Sequence, residues 1–231
     1  MSMLPRVFPP FPERKEIDLF ASMTPAKEVG GDLYNFLLLD DHLYFCVGDV
    51  SGKGVPASLF MAQATRLFRT LAGKGLSPEQ IANRMNSALC EGNDTMMFVT
   101  MFIAMADLKT GMLDFCNCGH NPPLLDGKFI EFKYTNRPLG MWDGDPFHGE
   151  SIADIHGRQI LVYTDGLNEA MNKDKVQFGN ECLQDLLSGY RGHTACQVVE
   201  MLKEAVEKHR DGADPNDDLT LLCLKLDVPQ S

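Results

Sequence analysis

Nowhere in this chain do apolar residues run for the roughly 20 positions that a bilayer-spanning helix needs. The one apolar patch near its start is broken by Pro5, Arg6, Pro9, Pro10 and Pro12, which argues against a signal peptide. The chain therefore reads as soluble, with no membrane contact of its own. Basic residues are scarce: 21 Lys and Arg stand against 32 Asp and Glu, a formal net charge of −11. Such a surface repels a phosphate backbone, so nucleic acid is not an expected partner. The seven cysteines are odd in number and lie mostly in apolar segments such as Phe45-Cys46-Val47 and Leu222-Cys223-Leu224. That pattern speaks for buried thiols in a reducing compartment and against a disulfide framework. Familiar nucleophile motifs are missing as well. There is no G-x-S-x-G elbow and no Cys followed five residues later by Arg, and Gly54 after Lys53 breaks the P-loop pattern G-x-x-x-x-G-K-[ST].

What is present suffices for a sizeable core, since 44% of the 231 residues are apolar. No linker-like stretch divides the chain, which reads as a lead-in segment over 1–16 and one domain over 17–228. Runs 33–39 and 42–47, joined across Asp40 and Asp41, form an expected antiparallel hairpin. Leu59, Phe60, Ala64, Leu67, Phe68 and Leu71 recur at helical spacing within 55–71, closed by Gly73 and Gly75. Ser77 and Pro78 open a second helix to about Leu89, expected to pack on the first. Strands follow over 99–106, which looks buried on both faces, and over 112–118. A hairpin over 123–125 and 128–134 turns on Asp126-Gly127. A short strand over 159–163, helices over 179–187 and 194–209, and a last strand over 219–226 complete the reading. Hairpins mixed with helix pairs fit an antiparallel α+β layered fold.

The informative residues are aspartates at the ends of apolar runs: Asp32 in VGGD, Asp49 in GDVSGKG, Asp165 in VYTDG, and Asp217 with Asp218 in NDDLTLL. Strand ends can aim several carboxylates at one point, and all-oxygen clusters suit hard cations such as Mg²⁺ or Mn²⁺. Two cations about 3.5–4 Å apart can share and acidify a water, hold it in line with phosphorus and neutralise phosphoryl charge. Asp126 and Asp143 read instead as turn residues. Lys53, in a glycine-rich turn, reads as solvated. Cys116, Cys118 and His120 lack the second ligand pair of a zinc site, and strand alternation accounts for both cysteines. His120-Asn121-Pro122-Pro123 reads as a rigid turn.

Taken in order, 25–32 (PAKEVGGD), 48–57 (GDVSGKGVPA), 119–123 (GHNPP), 138–140 (PLG), 163–170 (YTDGLNEA), 178–179 (FG) and 217–220 (DDLT) resemble one family across nearly the whole chain. It is the bacterial branch of the metal-dependent type-2C serine/threonine phosphatases, typified by the sporulation and stress-response enzymes of sigma-factor partner switching. The resemblance implies an antiparallel β-sandwich flanked by helices. It implies hydrolysis of a phosphoserine or phosphothreonine ester by water activated between two divalent cations, Mn²⁺ or Mg²⁺. Asp49 is similar to the aspartate that bridges both ions, the Val50 carbonyl and Asp32 to ligands of one, and Asp165 with Asp217 or Asp218 to ligands of the other, Asp217 being favoured by the family pattern. Gly48 and Gly52 would let the chain turn tightly there. Larger members carry a His and an upstream Arg that this sequence replaces with Ser51 and no evident Arg, so the resemblance assigns no leaving-group acid. The implied substrate is a small phosphoprotein of the anti-sigma-factor antagonist class, met in the cytoplasm. An upstream sensor domain acting through the helices of 55–92 and a homodimer are compatible with it. A partner-binding pseudophosphatase without turnover is the alternative.

Overall fold

The computed structural model describes residues 4–26, 30–189 and 192–228. Among them are ten strands and four helices: β1 (Ile17–Thr24), β2 (Asp32–Leu39), β3 (His42–Val50), α1 (Val55–Ala72), α2 (Pro78–Cys90), β4 (Val99–Asp107), β5 (Leu113–Cys118), β6 (Leu124–Leu125), β7 (Lys128–Phe129), β8 (Glu150–Ile152), β9 (Gln159–Tyr163), α3 (Asn180–Ser188), α4 (Ala195–Arg210) and β10 (Leu219–Leu226). They fall into two compact units. Among the described residues the first comprises 4–6, 30–120 and 131–155, and the second 7–26, 121–130, 156–189 and 192–228.

The first unit is built on an antiparallel sheet in the order β2-β3-β4-β5-β8. β2 and β3 form the expected hairpin, with Leu39 opposite His42 and Asp40 at φ 52 in the turn, a conformation that Asp tolerates better than most residues. α1 buries Ala57, Phe60, Met61, Ala64 and Phe68, the i, i+3, i+4, i+7 stripe of a helix lying on a sheet. These join Leu33, Cys46, Met101 and Ile103 in one core, to which α2 adds Ile81, Met85 and Leu89. α2 is opened by a reciprocal cap: Gln80 N–H donates to Ser77 Oγ at 3.3 Å while Ser77 N–H donates to Gln80 Oε1 at 3.2 Å. On the opposite face of the sheet, buried Phe45, Phe102 and Phe115 form a chain of rings with centroids 6.4 and 5.5 Å apart. β4 is thus buried on both faces, as its lack of polar alternation led one to expect.

The second unit has the sheet order β1-β10-β9-β6-β7, with β10 central and antiparallel to both β1 and β9. Its core joins Leu161, Tyr163, Leu221 and Cys223 of the sheet to Val198, Val199, Leu202 and Val206 of α4. Thr194 and Gln197 cap α4 reciprocally, as Ser77 and Gln80 cap α2.

Several sequence readings need correction. The hairpin on Asp126-Gly127 exists, with both residues at positive φ (52 and 78), but its second strand stops at Phe129 instead of Tyr134. There Ile130 N–H turns back to Pro123 O, and from Glu131 the chain belongs to the first unit, where Phe132 packs on Phe115 with centroids 6.0 Å apart. β1 and β8 went unread. Gly48 lies inside β3, not in a turn: a Cβ there would stand 2.8 Å from Thr100 O, so its role is to let β4 lie close. The cysteines divide, with Cys46, Cys116, Cys118 and Cys223 buried, Cys90 partly buried, and Cys182 and Cys196 exposed. Burial pushes the Cys46 and Cys118 thiols well up, away from thiolate chemistry. No helix among the described residues is long and apolar enough to cross a membrane.

The turn leaving β4 yields a test. Asp107 accepts from Thr110 N–H at 3.0 Å and Lys109 N–H at 2.8 Å, and these bonds, the Thr110 one foremost, hold its carboxyl below the usual range. A lowered native pKa stabilises above the unfolded-state pKa and loses that stability as pH falls through the native one. Asp107→Ala is expected to lower the unfolding free energy at pH 7 by about 1 kcal/mol. The gap should shrink in urea melts as pH falls below the usual carboxylate range; a gap that is unchanged in acid contradicts this account.

Candidate metal centre

Each unit gathers its aspartates at one end of its sheet. In the first, Asp32 opens β2 and Asp49-Val50 close β3, and the antiparallel register sets Asp32 directly opposite Asp49. Val50 N–H donates to Gly31 O at 3.3 Å, which makes Gly31 and Val50 a hydrogen-bonded pair and Asp32 and Asp49 the closer, non-bonded kind, with Cα atoms about 4.5 Å apart. Directly opposed like charges destabilise a strand pair, and Asp32 is 2% exposed, so water does little to relieve the repulsion. A cation held between them would.

Room for one is kept by Gly31. A Cβ there would lie 2.9 Å from the Val50 carbonyl oxygen and 3.4 Å from Asp49 Oδ1, so any side chain would fill the space in front of two oxygen donors. The Asp49 carboxylate and the Val50 carbonyl beside that space, with Asp32 opposite Asp49, suit a hard divalent cation. Among the described residues no three His, Cys, Asp or Glu side chains form a ready-made cage, and the donors of this unit are instead two carboxylates with the Val50 carbonyl. Lys27, Glu28 and Val29 of the PAKEVGGD run lie outside the described residues.

Behind Asp49 stands a polar brace that the sequence reading did not assign. Thr100, opposite Asp49 on β4, donates its hydroxyl to Asp49 O at 3.5 Å and lies 3.0 Å from His120 Nδ1. Asn117 accepts from His120 N–H and donates to His120 O, holding both ends of this 6% exposed residue. GHNPP is thus a structural turn, as read, and an Asn three residues before a His was the available signal. His120 faces Thr100, while Cys116 and Cys118, 3.8 Å apart at sulfur, lie buried on β5. After β3, Ser51 exchanges bonds with Phe98: Ser51 N–H to Phe98 O at 2.9 Å and Phe98 N–H to Ser51 Oγ at 3.0 Å. Lys53 follows, exposed.

In the second unit β9 ends at Tyr163 and β10 begins at Leu219. Between them buried Thr164 works as a staple: Thr164 N–H donates to Thr220 O and Thr220 N–H to Thr164 Oγ1, each at 3.0 Å. The staple brings Asp165 beside Asp217 and Asp218. The approach is so close that a Cβ on Gly166 would fall 1.8 Å from Asp218 O. Asp217 and Asp218 differ in partners. Asp218, 6% exposed, accepts from Ala26 N–H at 2.9 Å, whereas half-buried Asp217 accepts the amide of Asp218 at 3.0 Å.

The model of the family described as "Stage II sporulation protein E (SpoIIE)" matches residues 39–227. The chain belongs to the SpoIIE family. Its likeness to the phosphoserine phosphatase RsbU of Bacillus subtilis is 25% identity over 94% of this chain and 65% of that protein. The structure of the RsbU and RsbW domains of Rv1364c from Mycobacterium tuberculosis superposes with a TM-score of 0.78 at 28% identity, over 93% of this chain and 61% of that one. RsbX, solved in complex with magnesium, shares the fold at TM-score 0.68 and 19% identity, over 92% of this chain and 96% of that one. The chain spans less than two thirds of the length of the curated relatives it matches first. The family is the branch of type-2C domains that the motifs resembled, and α+β with two antiparallel sheets and four helices is the fold these SpoIIE-family and related structures share.

Two glycines test the site without touching a carboxylate. Gly31→Ala, whose Cβ would stand 2.9 Å from the Val50 carbonyl oxygen, should weaken Mn²⁺ binding, read by calorimetry, by tenfold or more, about 1.4 kcal/mol, with some loss of stability. Gly166→Ala meets backbone far more closely, 1.8 Å from Asp218 O, and is expected to destabilise the fold more, by several kcal/mol in urea titrations. Equal effects of the two on stability would mean that Gly31 guards no donor space.

Proposed function

We propose that this SpoIIE-family chain is a divalent-metal-dependent protein serine/threonine phosphatase. What supports the reading most is the Asp32–Asp49 pair, two like charges set opposite each other at a strand end, with the Val50 carbonyl beside them and Gly31 keeping the space clear. The proposed ligands are Asp32, Asp49 and the Val50 carbonyl in the first unit and Asp165 with Asp217 in the second. Bound there, Mn²⁺ or Mg²⁺ would supply the Lewis acidity that activates water and neutralises phosphoryl charge. The chain's own residues do the rest. Thr100, itself bonded to His120, holds the Asp49 carbonyl, and the Thr164–Thr220 staple holds the segment of Asp165 beside that of Asp217 and Asp218. Asp218, bonded to Ala26, acts as a brace and leaves Asp217 as the ligand.

The kinship with RsbU, a phosphoserine phosphatase by name, favours a phosphoserine protein as substrate. Within that class we favour a small antagonist of an anti-sigma factor, met in the cytoplasm. No covalent nucleophile is required, in keeping with a sequence that lacks the serine-elbow and cysteine-phosphatase patterns.

Hydrolysis of p-nitrophenyl phosphate against Mn²⁺ concentration tests this directly. Turnover should depend on metal and fall by at least about a thousandfold in Asp49→Asn, on the scale of removing one strong transition-state contact. Asp217→Asn should behave similarly, whereas Asp218→Asn should lower stability more than the Mn²⁺ response. No turnover at any Mn²⁺ level, with a phosphoserine protein also left intact, would favour a partner-binding module without catalysis.

A further inference from the structure

We infer that one face of the first unit, formed by the start of α1 and loops 91–98 and 140–146, docks a protein segment that is both basic and apolar. The link of this face to substrate capture rests on the phosphatase reading; the binding itself does not.

The segments of this face carry large apolar side chains in the open: Met96 is 76% exposed, Val55 and Leu59 67%, Trp142 57% and Met141 48%. They are held together, not scattered. Asn93 Nδ2 donates to both Met97 O (2.6 Å) and Gly140 O (3.0 Å), tying one loop to the other, and Asn86 of α2 donates to Trp142 O at 2.8 Å. A Cβ on Gly140 would lie 3.0 Å from Phe60 Cζ, so the paired loops sit on the turn of α1 that also carries Leu59. Trp142 is fixed as well. Its indole lies over Gly144, where a Cβ would come within 2.1 Å of Nε1, and it walls a pocket of about 380 Å³ with Arg137, Asp145 and Phe147. Exposed apolar groups on tied-down loops mark an interaction surface, and Trp is a frequent anchor in such surfaces.

Charge selects the occupant. The two loops carry Glu91, Asp94, Asp143 and Asp145 and no Lys or Arg, and Arg137 is drawn to Asp145 at 3.8 Å. An acidic rim around an indole attracts lysine and arginine through the carboxylates and through the ring face. A second copy of this chain, at net charge −11, is repelled, so the complement is a different, cationic protein. Position gives the consequence. Loop 91–98 is bonded to Ser51 through Phe98, one residue beyond Val50, so a partner seated here reaches the strand end that carries Asp49.

Trp142 is the only tryptophan in the chain, so intrinsic fluorescence reads this face directly. Titration with an amphipathic leucine–lysine peptide should shift Trp142 emission to the blue, saturably and less at high salt, while a leucine–glutamate peptide should leave it unmoved. Glu91→Lys with Asp94→Lys should weaken binding by about tenfold. Met96→Asn, at φ 52 where Asn is tolerated, should weaken it too. Glu181→Lys with Glu204→Lys changes net charge equally on α3 and α4 and should have no effect. A silent tryptophan, or equal loss in both charge pairs, overturns the inference. Hydrolysis of p-nitrophenyl phosphate is read in parallel. Its absence would strike the phosphatase reading alone, and its presence with a silent tryptophan would strike only the docking face.

Discussion

The opposition of Asp32 and Asp49 across β2 and β3 is the constraint on which the first unit turns. Two carboxylates in a non-bonded cross-strand pair, one of them buried, are unfavourable by themselves. Everything around them keeps the arrangement in place. The hairpin register fixes which residues face each other, Thr100 on β4, itself bonded to His120, holds the Asp49 carbonyl, and Ser51 pins the outgoing chain to Phe98 before α1 begins. Gly31 then leaves open the space that a side chain would close. A fold under selection for stability alone has no reason to keep this combination, whereas a cation site does.

The second unit solves a similar problem by other means. Here the aspartates lie beyond the strands, in the segments that leave β9 and enter β10, so no register holds them. The Thr164 staple replaces it, and Gly166 permits an approach that any Cβ would block. Of the adjacent acids, buried Asp218 accepts from Ala26 N–H while half-buried Asp217 accepts the amide of Asp218, so identical chemistry meets different surroundings.

The apolar, acidic face beside Ser51 shows how specificity can be separated from chemistry in such a domain. On the phosphatase reading, a metal held by carboxylates would meet only the phosphoryl group, which every phosphoprotein offers. Side chains such as Met96 and Trp142, on loops fixed by asparagine side chains, can distinguish one partner from another without altering the reacting groups. Their exposure is costly in water and is tolerated because rigid loops prevent them from collapsing onto the core.

Much of this was legible in the sequence because the signals were local. Helical spacing located α1, Ser77-Pro78 marked the start of α2 through capping, and an apolar run without polar alternation gave β4. Asp49 and Asp165 stood out because an acid ends an apolar run only for a reason. β1 carried a fair alternation in Ile17, Leu19 and Ala21 but sat behind a proline-rich lead-in, and β8, at three residues, is shorter than any periodicity can reveal. The premature end of β7 depended on the chain crossing to the other unit at Glu131, which no local pattern encodes. The sequence by itself determined the element types, the chemistry of the carboxylates and, through its ordered motifs, the family. Only the tertiary structure decided that Asp32 faces Asp49, that Asp218 is bonded to Ala26, and that the loops carrying Met96 and Trp142 are tied together. Those are facts about residues 17 to 192 positions apart, and such distances close only when strands pair and loops pack.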